Sequence, residues 1–215
     1  MEDRLDRVVS EKQYSVARLS KAREAVAYYL TEPVVRLLAR TFITPSIITW
    51  FGFFLAVGAA VLVTLGHLFA AGFLVLIAGF FDMLDGAMAR RTNRTTRFGA
   101  VLDSTLDRLS EAILLLGIIV LYVRGGFIVG ILLAGVALPS SLLVSYIRAR
   151  AESLGLECEV GLFTRAERTI VLALGLLLSQ IDYAFLVIAL AIIVAFSFFT
   201  IGQRLIYVWQ QTKTR

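Results

Sequence analysis

"IITWFGFFLAVGAAVLVTLG", from Ile47 to Gly66, runs for twenty residues without a charge. A helix of that length rises about 30 Å, the thickness of a bilayer's hydrocarbon core. Comparable runs recur along the whole chain. They leave 59% of the residues hydrophobic and only 17% charged, with a mean hydropathy of +0.83. A soluble domain sits nearer one half apolar and one quarter charged. A transmembrane barrel would instead show alternating strands of about ten residues, whereas these runs are continuous. The predicted fold class is therefore all-α. It is a polytopic membrane protein whose six transmembrane helices lie near 45–66, 68–90, 98–123, 126–149, 166–181 and 183–208.

Ahead of these spans, "AREAVAYYLTEPVVRLLAR" places Val26, Tyr29, Leu30, Val34 and Leu37 at helical spacing, with its arginines off that face. This pattern predicts an N-terminal amphipathic helix lying in the membrane interface and bent near Pro33. No early apolar core followed by a cleavage site is present, so no secretory leader is expected. The chain divides into a charged N-terminal segment with its juxtamembrane helix (1–43), a six-helix domain (44–208) and a short tail (209–215). Gly66–His67, Arg124–Gly126 and Ser179–Tyr183 turn the chain on one side of the membrane and hold a single arginine. The other side holds four arginines between Arg90 and Arg97 and four more between Arg148 and Arg168. Excess basic charge marks the cytoplasmic side, which places both termini and that loop system in the cytoplasm of a cell-membrane protein. No internal repeat points to an inverted-repeat carrier.

Within this apolar chain stand four aspartates, Asp82, Asp85, Asp103 and Asp107. A carboxylate in hydrocarbon costs several kcal/mol unless something pairs with it. Asp82 and Asp85 are three apart and share a face of the second span, and Asp103 and Asp107, four apart, share one of the third. The short connection makes these two helices expected antiparallel neighbours. Asp82 then lies roughly 12 Å inside Arg90, at about the depth of Asp107, so the two pairs should be level. Four converging carboxylates call for cations, and an all-oxygen site suits Mg²⁺ or Mn²⁺. Two divalent ions would balance their charge. Gly86, Ala89 and Gly99 leave the helix surfaces bare beside the acids, where a nucleotide or phosphate can approach. Arg90, one turn beyond Gly86, can reach a diphosphate. The acids cluster toward the cytoplasmic end on helices without internal proline, which weighs against a cation or proton-coupled carrier with a midplane site.

Competing chemistries are scarce. The single cysteine, Cys158, excludes an intramolecular disulfide and thiol-rich metal sites. The only histidine, His67, falls at the far side of the membrane, so no Ser-His-Asp or Cys-His arrangement is available. The net charge of +5 fits contact with anionic headgroups or phosphorylated substrates rather than nucleic acid. Arg148, Arg165 and Arg168 flank the same mouth as the aspartates, and their planar forks suit the phosphate of an acceptor. Glu111 continues the row from Asp107 one turn deeper, placed to tune Asp107 or to bond a polar neighbour.

Asp82-x-x-Asp85-Gly86-x-x-Ala89-Arg90, eight residues, then Gly99-x-x-x-Asp103-x-x-x-Asp107 resembles the signature of the CDP-alcohol phosphotransferases, also called CDP-alcohol phosphatidyltransferases. "TPSIITWFG" is similar to that family's entry to its first span, with Ser46 where Asn is common. The resemblance implies an integral-membrane enzyme that passes the phosphatidyl group of CDP-diacylglycerol, or a related CDP-lipid such as CDP-archaeol, to a hydroxyl and releases CMP. It implies Asp82, Asp85 and Asp103 as metal ligands, and Asp107 as general base that also touches a metal. It assigns Gly86, Ala89, Arg90 and Gly99 to the nucleotide and diphosphate. It also implies a homodimer. "SYIRARAE" followed by "GLFTRAER" is similar to members that use inositol phosphate, with Arg148 standing where Lys is more frequent. Glycerol 3-phosphate, as in phosphatidylglycerophosphate synthases, is the alternative acceptor.

Overall fold

The computed structural model describes residues 31–37, 44–92, 96–158 and 160–213. All regular structure among them is helical. Helix α1 covers 31–37 and runs through Pro33. It is followed by α2 (Pro45–Thr64), α3 (Leu68–Arg91), α4 (Arg97–Gly125), α5 (Ile128–Ser153), α6 (Arg165–Leu178) and α7 (Ala184–Lys213). The six long helices stand where the apolar runs placed them. Helices α2, α3, α5 and α7 have the length and composition to cross a membrane. Helix α4 spans 29 residues but carries Asp103, Asp107, Arg108 and Glu111 in its first half. Helix α6 has only 14 residues, about 21 Å of rise, short of a full hydrocarbon core.

The helices close into a ring. Helix α2 packs on α3, α3 on α6, α6 on α7, α7 on α5, α5 on α4, and α4 back on α2. This corrects one expectation from sequence, because α3 and α4 are not packed along their lengths as neighbours; α2 lies between them. The reason is the small-residue surface of α2, on which Gly52, Ala56, Ala59 and Ala60 are buried. Where α4 crosses, a Cβ on Gly117 would stand 3.0 Å from the Ala60 carbonyl oxygen, and Gly52 would meet Phe81 Cβ of α3 at 3.5 Å. Small residues let membrane helices approach closely and gain dispersion contacts that lipid does not supply. Much of the ring's interior is apolar, with Val63, Val75, Leu115, Ile118, Leu176 and Leu190 among its buried side chains. Its outer faces are apolar as well: Phe54, Leu132, Ile188 and Phe198 are each more than half exposed. Apolar surface inside and out is what a lipid-embedded bundle requires.

Helix α1 docks where α2 begins and α3 ends. Val35 is buried with Ile48, Leu84 and Met88. Glu32 accepts from Arg91 Nη1 at 2.5 Å and from Arg36 Nε at 2.8 Å. Those hydrogen bonds hold the Glu32 carboxyl below its ordinary range. Of the anticipated apolar stripe, Leu37 is exposed and Val34 half-buried, so the protein-facing side is that of Thr31 and Val35. Val26, Tyr29, Leu30 and the charged opening lie outside the described residues.

Candidate active site

Three helix segments bring the polar residues to one end of the ring. The last turns of α3 carry Asp82 and Asp85. Helix α4 starts at Thr96, whose hydroxyl accepts from the Gly99 backbone N–H at 2.9 Å and so sets the register of Asp103 and Asp107. Helix α6 starts at Thr164, whose N–H and hydroxyl donate to Glu167 at 2.7 and 2.6 Å, and this fixes the turn bearing Arg165 and Arg168. The preceding loop is anchored to α7. Arg204, 3% exposed, donates from Nε to the Val160 carbonyl at 2.9 Å and from Nη1 to the Val144 carbonyl. Gly161 lies against it at φ 139°, in the region that favours glycine, and a Cβ there would stand 2.9 Å from Thr200 Cγ2.

One carboxylate oxygen from each of Asp82, Asp103 and Asp107 lies within 4.8 Å of the others. The equal level expected from sequence is therefore realised, although α2 lies between α3 and α4. Arg165 Nη1 stands among the acids, donating to Asp82 Oδ1 and Oδ2 at 2.8 and 2.9 Å and pairing with Asp107 Oδ2. Asp85 is buried beside the trio, 3% exposed, with Thr49 of α2 as its neighbouring hydroxyl. Among the described residues, Asp85 Oδ2 and Asp103 Oδ1 are both buried without a protein partner. A buried carboxylate oxygen left in that state is costly. The donor set is all oxygen, and a guanidinium already stands where positive charge is demanded. These residues fit a divalent cation of the Mg²⁺ or Mn²⁺ type.

The remaining sequence candidates fall into two groups. Gly86, Ala89 and Arg90 occupy the end of α3 beside the acids, and Arg90 folds back so that, among the described residues, a Cβ on Gly86 would meet only its Nη1, at 3.5 Å. Gly99 lies in the first turn of α4, where a Cβ would crowd the capping Thr96 Oγ1 at 2.8 Å. Arg165 and Arg168 both line a cavity that runs from the acids into the ring past Thr49, Gly79, Ser110 and Glu111. Arg148 does not line it; exposed on α5, it pairs with Glu152 at 2.8 Å on its own helix. Arg168 is 1% exposed and committed to Glu111, with Nε to Oε1 at 2.6 Å and Nη2 to Oε2 at 2.9 Å.

Thr49 and Ser110 were not anticipated in the site, and nothing distinguishes them in sequence from other hydroxyls on spanning helices. Arg204 was also missed, although a signal existed: it is a lone arginine in the apolar run of the last helix.

The family model described as CDP-alcohol phosphatidyltransferase matches residues 42–199, which takes in α2 to α6, the first half of α7 and all four aspartates. The chain belongs to that family. Membership makes it a transferase. The archaetidylinositol phosphate synthase of Methanothermobacter thermautotrophicus is 47% identical over 167 residues, 77% of this chain and 83% of that protein. The phosphatidylinositol phosphate synthase of Mycobacteroides abscessus is 40% identical over 152 residues, 70% of this chain and 69% of that protein. Among solved structures, Mycobacterium tuberculosis phosphatidylinositol phosphate synthase with CDP-DAG bound superposes with a TM-score of 0.74 at 35% identity. That likeness covers 83% of this chain and 93% of the other. The same mycobacterial enzyme in complex with manganese and citrate gives a TM-score of 0.73 at 36% identity, over 83% of this family member and 88% of that chain.

Proposed function

We propose that the protein is a membrane-embedded phospholipid-synthesising transferase. It moves the phosphatidyl group of CDP-diacylglycerol, or its CDP-archaeol counterpart, to a hydroxyl of inositol phosphate and releases CMP. The convergence of Asp82, Asp103 and Asp107 around the Arg165 guanidinium carries this reading. Acids that need cations and an arginine that suits phosphate meet at one mouth of the ring, in a chain similar to inositol-phosphate-using synthases of an archaeon and of mycobacteria.

Asp82, Asp85, Asp103 and Asp107 would hold two Mg²⁺ or Mn²⁺ ions, which when bound neutralise a diphosphate and the charge growing on the departing CMP. Gly86, Ala89, Arg90 and Gly99 offer the bare helix surface and the guanidinium that a cytidine diphosphate needs. Asp107 takes the proton of the acceptor hydroxyl as its oxygen bonds to the lipid-side phosphorus and the bond from that phosphorus to CMP breaks. Arg165 serves the acceptor's phosphate. Arg168, already held by Glu111, supports it from inside the ring. Six helices span the membrane, with α6 short because its N-terminal turn opens onto the site. Both termini and the site face the cytoplasm, α1 lies at the interface, and the chain pairs as a homodimer.

CMP release by the protein purified in detergent tests this. CDP-diacylglycerol or CDP-archaeol, Mg²⁺ or Mn²⁺, and inositol phosphate together should give CMP, and omission of metal or acceptor should stop it. Release only with glycerol 3-phosphate would replace the acceptor. No release from any CDP-lipid would overturn the transferase reading.

A further inference from the structure

Helices α4 and α6 stand on opposite sides of the ring. Helix α4 packs on α2 and α5, and α6 packs on α3 and α7. What joins them is a pair of ionic struts across the interior. Asp107 of α4 reaches Arg165 of α6, and one turn deeper Glu111 of α4 reaches Arg168 of α6. The spacings match, four residues on α4 against three on α6, so both struts lie on facing surfaces.

The two struts differ in kind. Arg165 pairs with side chains of the acid cluster, with 27% of its own side chain exposed, and on the reading above it must give way when cations enter. Arg168 and Glu111 have side chains only 1% and 11% exposed and meet fork to fork. Glu111 is not one of the converging acids. Nothing in the transferase chemistry requires this strut to open. A buried ion pair is weak evidence of stability, since an apolar pair of similar volume often serves the fold as well or better. Bidentate geometry instead fixes orientation.

We infer that Glu111 is a positioning residue: through Arg168 it sets the register of the first turn of α6 against α4, and so holds Arg165 over the acid cluster after cations have displaced it. This rests on the reading of Arg165 as a partner of the acceptor's phosphate. The role is separate from metal binding and from the donor lipid.

The test compares Glu111→Gln, the double variant Glu111→Leu/Arg168→Met and Arg165→Gln with the unaltered full chain in detergent. It measures KM for inositol phosphate, KM for the CDP-lipid, kcat, Mn²⁺ affinity and the thermal midpoint. Misplacing a phosphate partner by about 1 Å should raise the acceptor KM about tenfold to a hundredfold. Glu111→Gln is therefore expected to raise that KM while kcat, the CDP-lipid KM and Mn²⁺ affinity stay within about twofold. The double variant keeps the volume, so the proposal stands if it retains the thermal midpoint and still shows the raised acceptor KM. Recovery of a normal acceptor KM in the double variant would make the strut mere filling and overturn the inference. Weakened Mn²⁺ binding in Glu111→Gln would overturn it too, by placing Glu111 in the metal cluster. If Arg165→Gln raises the acceptor KM and Glu111→Gln does not, the positioning role fails while the site reading stands. If neither raises it, both fail.

Discussion

Replacing Arg165 with glutamine should make the protein bind Mn²⁺ more tightly while it turns over more slowly. The arginine stands among carboxylates that a cation needs, donating to both oxygens of Asp82 at 2.8 and 2.9 Å and pairing with Asp107. An incoming ion must break both contacts. A hydrogen bond between charged groups is worth about 1.5–3 kcal/mol when buried. Here the three side chains are 27%, 31% and 21% exposed, so solvent screening lowers this to about 1 kcal/mol for each partner. Removing the competitor should then favour the ion by about 2 kcal/mol, a gain of about thirtyfold in affinity. Free Mn²⁺ measured by electron paramagnetic resonance during titration of detergent-purified protein reads this directly, without reference to activity. Turnover should fall in the same variant, because the acceptor's phosphate loses its partner. Unchanged or weaker Mn²⁺ binding in Arg165→Gln would refute the reasoning, since the guanidinium would then assist the ion rather than compete with it.

Asp107→Asn keeps the shape of the carboxylate but cannot accept the acceptor's proton; CMP release should fall about a hundredfold or more with CDP-lipid binding retained, and near-normal turnover would remove Asp107 as base. Gly161→Ala would place a Cβ 2.9 Å from Thr200 Cγ2 on backbone at φ 139°. Strain of that kind costs about 1–3 kcal/mol, so the thermal midpoint should drop by several degrees, and an unchanged midpoint would mean that the loop shifts freely. Cys158 is 1% exposed, and burial pushes its thiol up against the opposing pull of Arg204 and Arg148. A raised thiol holds less thiolate at any given pH, so maleimide labelling of the folded protein at pH 7 should be much slower than after denaturation; equal rates would show the loop opening.

Much of the architecture was legible because its causes are local. Apolar length marked the helices, and charge-poor turns marked one set of ends. Thr96 and Thr164 stand as capping residues directly before α4 and α6. Asp82 and Asp107 came out level because a helix rises a constant distance per residue, whatever its neighbours do. Arg148 and Arg168 show where such reasoning stops. Both lie in the basic loop system, yet one is spent on Glu152 of its own helix and the other is buried against Glu111, 57 residues away in sequence.

The amino-acid sequence by itself determined the helices, the common level of the acids and the oxygen-only character of their site, since periodicity, rise and donor chemistry belong to each segment alone. Only the tertiary structure decided that α2 lies between the two acid-bearing helices, that α6 faces α4 across the ring, and that Arg165 stands among the aspartates. Those facts depend on which small-residue surfaces let helices approach closely enough to close the ring, a property of pairs of helices that no single segment contains.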